Sequence, residues 1–256
     1  DVCSSDLEAA RLLDEPRYFE AARGIAACLR ERMWDGARLR HVYAAGTAKV
    51  DGLLEDYANV GLGALDLYRA TGDLSLVQWA ARLLEVAIER FHDDAQGGCF
   101  DAAADAEDLI LRQKSFFDAP TPSGNGAIAL LAIALGRLLG RAAWESLGTE
   151  VIALVAEQLE RAPTGFGATL QALTLALAPH VEVAIVGEPA ARAPFERELA
   201  RHFVPTAVLA PAPNGGSLPV LEGRDVPSGA VAYVCVDMVC ELPAHDVETF
   251  RDQLAG

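Results

Sequence analysis

The stretch Phe117–Leu135, "FDAPTPSGNGAIALLAIAL", decides the fold. Its first ten residues set two prolines, a serine, an asparagine and two glycines behind Asp118. The nine that follow, Ala127 to Leu135, carry no polar side chain. Ser123 after Pro122 reads as a helix N-cap, its hydroxyl accepting from a first-turn amide. A helix that is apolar around most of its circumference is buried on all sides. The run is also too short to cross a bilayer, which needs about 20 residues. The chain therefore predicts an interior helix from 123 to 139 and no membrane partner.

Two more segments share this character, "LLEDYANVGLGALDLY" (53–68) and "TGFGATLQALTLALA" (164–178). Their Gly and Ala content lets neighbouring helices approach closely. Between them lie amphipathic segments at 16–34, 75–91 and 144–161. In the first, Tyr18, Ala22, Ile25, Ala26, Leu29 and Met33 make one apolar stripe, with charged residues off it. The order is outer, inner, outer, inner, outer, inner. That is an internal repeat of helical hairpins, and it predicts part of an α/α toroid with inner helices around a central cavity. The connections 35–52 and 96–118 alternate and contain turn residues, so both read as small β-hairpins on one face of the ring.

After Pro179 the pattern changes to β-branched strands, "HVEVAIVGEP", "PTAVLAP" and "GAVAYVCV", with helices at "APFERELARHF" and "DVETFRDQL". The Pro- and Gly-rich segment 211–229 reads as a surface loop. The predicted fold is mainly α. It comprises a partial (α/α)6 toroid with short β-hairpin connections over 8–179, then a small α/β tail over 180–256. The first seven residues, "DVCSSDL", are what one reading frame of a common sequencing adapter encodes. They are expected to be foreign to the protein.

The chain has 37 acidic against 21 basic residues, a net charge of -16. No basic patch stands out, which argues against a nucleic-acid partner. Mean hydropathy of +0.19 leaves ample material for a core. Five cysteines are scattered without a disulfide framework. Four of them read as buried or half-buried thiols of a reducing, cytoplasmic compartment. Cys235 and Cys240 do not have redox CxxC spacing; they are a pair of thiols, structural by preference or redox. No cluster has metal-ligand spacing, and no cofactor is called for.

Successive inner helices run parallel in such a ring, so their N-termini share one mouth. Glu55, Asp56 and Asn59 fall on the first, Asp118, Ser123 and Asn125 at the second, Thr164 at the third. Helix N-termini present free N–H groups and positive dipole ends, which suits hydroxyl- or carboxylate-bearing ligands. Asp56 and Asp118 are the candidate catalytic pair, two carboxylates for general acid/base work on a sugar ring. Glu55, Tyr57, Asn59, Ser123, Asn125 and Thr164 are candidate ligand contacts. Tyr57 also reads as core, Ser123 as a cap, and Glu55 as a carboxylate complementing the dipole. His41 lies in a hairpin on the same face.

"GLLEDYANVGLGALDLYRATGD", "DAPTPSGN" and "AYVCVDMVCELP" together resemble the C-terminal region of thioredoxin-domain proteins of the spermatogenesis-associated protein 20 type. The resemblance runs over nearly the whole chain. It implies an N-terminal thioredoxin-like domain absent here, then a six-hairpin toroid of which this chain holds about the last half, then the tail. Such toroids are similar to those of six-hairpin glycosidases and N-acylglucosamine 2-epimerases. A sugar hydrolase or epimerase is the implied activity. A non-catalytic scaffold or protein-interaction toroid serving the thioredoxin-like domain is the alternative. Asp56–Ala58, Pro122–Asn125, Cys235 and Cys240 match the motifs. Asp118-Ala119-Pro120-Thr121 departs from the Asp-Gly-Ala of the family. The histidines of the epimerases have no counterpart on these inner helices.

Overall fold

The computed structural model describes residues 4–13, 15–106, 110–237 and 239–255. Of the seven residues expected to be foreign, Asp1–Cys3 lie outside that set. Ser4–Leu7 open helix α1 (Ser4–Leu13), and Leu7 is buried. The predicted alternation follows. Helix α2 (Pro16–Cys28) has Pro at its start and continues through a π turn, Leu29–Met33. Strands β1 (Arg40–Ala44) and β2 (Thr47–Asp51) form an antiparallel hairpin. Then come α3 (Leu54–Thr71), α4 (Leu74–Phe91), α5 (Gly124–Leu139), α6 (Ala142–Ala153), α7 (Ala156–Arg161) and α8 (Gly167–Leu177). Helix α5 stands between α3 and α8, with α4 against α3 and α6 against α5. Three inner helices thus form a row backed by outer ones.

The row is tight because α5 begins "GNG". A methyl group built at Gly124 would lie 3.0 Å from Leu54 Cδ2 and 3.3 Å from Glu55 N, in the first turn of α3. One built at Gly126 would lie 2.9 Å from Ala168 Cβ and 3.0 Å from Thr169 N, in the first turn of α8. Each glycine therefore marks a contact with a neighbouring helix on a different side. Beyond them Ile128, Leu131, Ile133 and Leu135 are almost wholly enclosed.

The connection 96–118 differs from the expected β-hairpin. Among its described residues there is no strand ladder. One bond, Asp101 N to Gln113 O at 2.8 Å, joins its arms, and a single bridge links His92 to Cys99. Side chains replace the ladder. Arg112 donates to Ala102 O (2.9 Å), Ser115 N donates to Asp101 (2.9 Å), and Asn125 of α5 grips Cys99. Alternating residues there serve side-chain contacts instead of a pleat. Glu107–Leu109 lie outside the described residues.

The tail consists of β3 (Val181–Gly187), α9 (Pro189–Leu199), β4 (Val208–Ala212), β5 (Ala230–Val236), β6 (Val239–Cys240) and α10 (Val247–Ala255). Sheet order is β4-β3-β5-β6, with β3 parallel to β4 and antiparallel to β5. Both faces are covered. Ala184, Val186, Ala210 and Ala212 join the core of the helices. Val183, Ile185, Ala232 and Val234 meet Phe195 of α9 and Phe250 of α10. A strand buried on both sides reads as a continuous apolar run, as β3 does. Segment 211–229 is not simply a surface loop. Its first two residues end β4, and Leu218, Val220 and Leu221 are buried in the helical core. Arg192, 2% exposed, ties the parts together by donating to Gly187 O (3.1 Å) and Thr71 O (3.3 Å).

Glu198 at the end of α9 is buried and receives Arg251 of α10 on both oxygens, 2.6 and 3.1 Å, with Arg201 and His202 beside it. Arg251 above all holds its carboxyl down to about 2. A depressed carboxyl stabilises the fold above its ordinary value and loses that contribution as pH falls through the folded value. Stability should therefore decline between about pH 4.5 and 2, and Glu198→Gln should flatten that decline in urea melts taken across the window.

Gly126→Ala should lower stability by about 1–3 kcal/mol, because the backbone of α8 must move. Gly24 in α2 has nothing within 4 Å of an added methyl. Gly24→Ala should raise stability by about 0.5–1 kcal/mol through helix propensity alone. Denaturant melts of the two variants test this opposition of sign.

Candidate functional site

The contacts at Gly124 and Gly126 place the first turns of α3, α5 and α8 side by side at one end of the row. The residues there fall into two sets.

The first set is bonded to backbone. Asp118 accepts from Ser123 N at the start of α5 (2.9 Å) through one oxygen, and from Ala168 N at the start of α8 (2.9 Å) through the other. Its own N–H donates to Gly165 O at 2.8 Å. Asp118 is a clamp between two helix N-termini, where orphan amides and the dipole favour a carboxylate. Ser123 is the N-cap of α5, its hydroxyl accepting from Gly126 N at 3.2 Å. Asn125 is fully buried. Its Oδ1 accepts from Cys99 N (2.8 Å), and its Nδ2 donates to Cys99 O (2.8 Å) and Ser115 O (3.0 Å). Tyr57 is core, packed edge-on to Trp34 and tilted against Phe91. Its hydroxyl accepts from Leu39 N at 2.9 Å, and burial pushes the phenol up.

The second set keeps polar atoms available. Asp56 is at the third position of α3 and accepts from Leu53 N at 2.7 Å, half of a capping box. Both of its oxygens also face His41 Nδ1, at 2.8 and 3.0 Å. His41 comes from β1, so the hairpin delivers an imidazole to the inner helix. In the neutral tautomer that donates Nδ1–H to Asp56, Nε2 is left as an acceptor. Glu55 and Asn59 are half-buried and make no side-chain hydrogen bond to the described residues. Thr164 is exposed in a single 3-10 turn, Pro163–Gly165, before α8 begins.

A groove of about 450 Å³ runs along the row from this end. Asn59 and Asp66 line it from α3, Gln171 and Thr174 from α8, apolar α5 residues form its floor, and Pro205–Leu209 of the tail close one side. Asp66 is paired with Arg69 at 2.8 Å. Asp56 lies three residues before Asn59 on α3, and neither Asp56 nor His41 lines the groove. The tail's share in the wall had no sequence signal, because Pro205–Leu209 read only as part of a strand.

The carboxylates Asp56 and Asp118 are thus placed differently. Asp56 has a titratable partner, whereas both oxygens of Asp118 are held by backbone amides. Cys235 and Cys240, expected as thiols, are joined in a disulfide across the β5–β6 pair. Direct cross-strand opposition brings their sulfurs together. Cys28 is half-buried and Cys99 is buried, its thiol pushed up to about 12 by desolvation. Among the described residues no three His, Cys, Asp or Glu side chains gather as a metal site. No described helix is long and apolar enough to cross a membrane.

A row of helical hairpins closed by a small α/β tail, with a groove along its inner helices, is the class of protein defined here. The resemblance drawn from the three motifs is borne out, for the chain is related to spermatogenesis-associated protein 20. It is 29% identical to that protein of Rattus norvegicus over 93% of this chain and 33% of the relative. It is 28% identical to the Homo sapiens protein (92% and 32%) and 30% identical to the Mus musculus protein (86% and 30%). The chain spans about a third of the length of these relatives. No family model matches it.

Asp118→Ala removes the acceptor of two helix-start amides and should cost about 1–3 kcal/mol in chemical denaturation. Asp118→Asn keeps one acceptor oxygen and should recover part of the loss.

Proposed function

We propose that the groove binds a carbohydrate-like ligand and that the His41–Asp56 pair moves protons at its end, as in a sugar hydrolase or epimerase. The observation that carries this reading is the His41–Asp56 pair, both carboxylate oxygens facing Nδ1, at the start of the helix whose Asn59 lines the groove. A sugar presents hydroxyls and C–H faces together. The groove offers Asn59, Gln171 and Thr174 beside Leu130 and Ala134. In this reading Asp56 orients the imidazole, while Nε2 takes a proton from a sugar hydroxyl, a sugar carbon or water. The positive ends of three helices favour the oxygen on which charge develops.

A second reading has its own support. Asp118, Ser123 and Asn125 are all bonded to backbone. That favours a non-catalytic scaffold or interaction platform for a thioredoxin-like domain of a longer, cytoplasmic protein.

A saccharide panel tested against the full-length protein separates the two. On the first reading Asn59→Ala weakens binding, and His41→Gln lowers turnover about 10²- to 10⁴-fold with an unchanged melting temperature. Saccharide binding indifferent to Asp56→Asn and Asn59→Ala would remove it. Disulfide reductase activity surviving deletion of the helical array would support the scaffold.

A further inference from the structure

The edge of the tail sheet carries a group that the groove does not use. Cys235 on β5 is 1% exposed, while Cys240 on the two-residue edge strand β6 is exposed. Over the bond lies Arg224. Its Nη2 is 3.2 Å from Cys235 Sγ and 3.5 Å from Cys240 Sγ. The guanidinium is held flat over Tyr233, 4.6 Å from the ring centre. It forms no ion pair among the described residues, and its Nη1 is buried without a hydrogen-bond partner.

A half-buried cation with no counter-ion is an unfavourable thing to keep. Burial pulls Arg224 below the ordinary arginine range, opposed by the negative charge of Glu182 on β3, directly across from Cys235. Glu182 forms no ion pair with Arg224, and His180 Nε2 lies 3.7 Å from its carboxylate. The hydrogen-bond acceptors that the guanidinium meets are the two sulfurs, which are neutral while bonded to one another. Breaking the bond would turn one of them into an anion at 3.2–3.5 Å from the guanidinium.

We propose that Cys235–Cys240 is a reversible thiol–disulfide exchange site whose substrate is a dithiol, with Arg224 stabilising the departing thiolate. A thiolate of the dithiol attacks the exposed Cys240 Sγ. A bond forms between those two sulfurs, the Cys235–Cys240 bond breaks, and its electron pair leaves on Cys235 Sγ beside Arg224. The second thiolate of the dithiol then attacks its own mixed-disulfide sulfur and releases Cys240 as a thiolate. The dithiol ends as a disulfide, having lost two electrons and two protons, and the pair ends as two thiols. Exchange is faster when the leaving sulfur is stabilised as an anion, and an adjacent arginine has that effect. Arg224 is a positioning residue, since it acts through the leaving sulfur. This assignment is independent of the groove and its ligand.

Differential alkylation tests it on the whole chain. Cleavage after Arg224 and Arg251 gives one peptide, Asp225–Arg251, that holds these two cysteines and no other. With dithiothreitol as the probe, that peptide should gain two alkyl groups while circular dichroism stays native, and glutathione disulfide should restore the bond. Arg224→Gln should slow reduction about tenfold, and Arg224→Lys, which keeps the cleavage site and the charge, should recover part of the rate. In Cys235→Ser, which does not depend on an Arg224 variant folding, Cys240 should form a lasting mixed disulfide with glutathione. Resistance to dithiothreitol until the fold is denatured would overturn the proposal. So would loss of the fold on reduction, equal rates with and without Arg224, or an inert Cys240 in the Cys235→Ser chain.

Discussion

The rest of the molecule depends on how closely α5 approaches its neighbours at its first turn. Gly124 faces α3 and Gly126 faces α8, each with room for a hydrogen and little more. Between them Asn125 points away from both helices, into the loop that precedes α5, and its amide is fully buried. An unsatisfied buried amide costs about 1–3 kcal/mol. Here three bonds to Cys99 and Ser115 remove that cost and fasten a connection that lacks a β-ladder of its own. Asp118 does the same at longer range, holding the starts of α5 and α8 with one carboxylate. A stretch dense in polar side chains is thus accounted for by the backbone groups that three converging helix ends leave open.

The helices were legible because their signal is periodic and local. Amphipathic stripes marked the outer set, and near-continuous hydrocarbon marked the inner set. Ser123 was legible as a cap because its partner is three residues away. Asp118 was not, because one of its partners is Ala168, fifty residues on in the chain. Asn125 looked like a ligand contact for the same reason: its partner Cys99 is 26 residues away. The missed loop 96–118 shows the limit of alternation as a signal. Every second residue can turn inward without a strand partner when arginine and asparagine side chains supply the bonds. The disulfide was not legible. Cys235 and Cys240 read as thiols, because no local signal pairs Val236 with Val239 and so opposes the two cysteines.

The tail is structurally continuous with the helices. One face of its sheet completes their core, Leu218–Leu221 bury against it, and Arg192 bonds the end of α3. The segment Pro205–Leu209 then becomes a wall of the groove. The groove therefore depends on the tail as well as on the inner helices. An α/β unit that seemed an appendage in the sequence contributes to the shape of the candidate site.

Any chemistry at this site has to come from the polar atoms that folding leaves over. Asp118, Ser123, Asn125 and Tyr57 are each engaged by backbone groups, and withdrawing any of them would remove a bond that holds a helix start or its neighbouring loop. Asp56 is only partly engaged. One bond caps α3, and the remaining acceptor capacity orients an imidazole from a different element. That division separates two carboxylates that the sequence made look alike. Among the described residues the side chain of Asp118 bonds only backbone amides, whereas that of Asp56 also faces an imidazole. In the reading proposed above, a histidine–carboxylate pair takes the place of two carboxylates. His41 of the β-hairpin faces Asp56 at the start of α3.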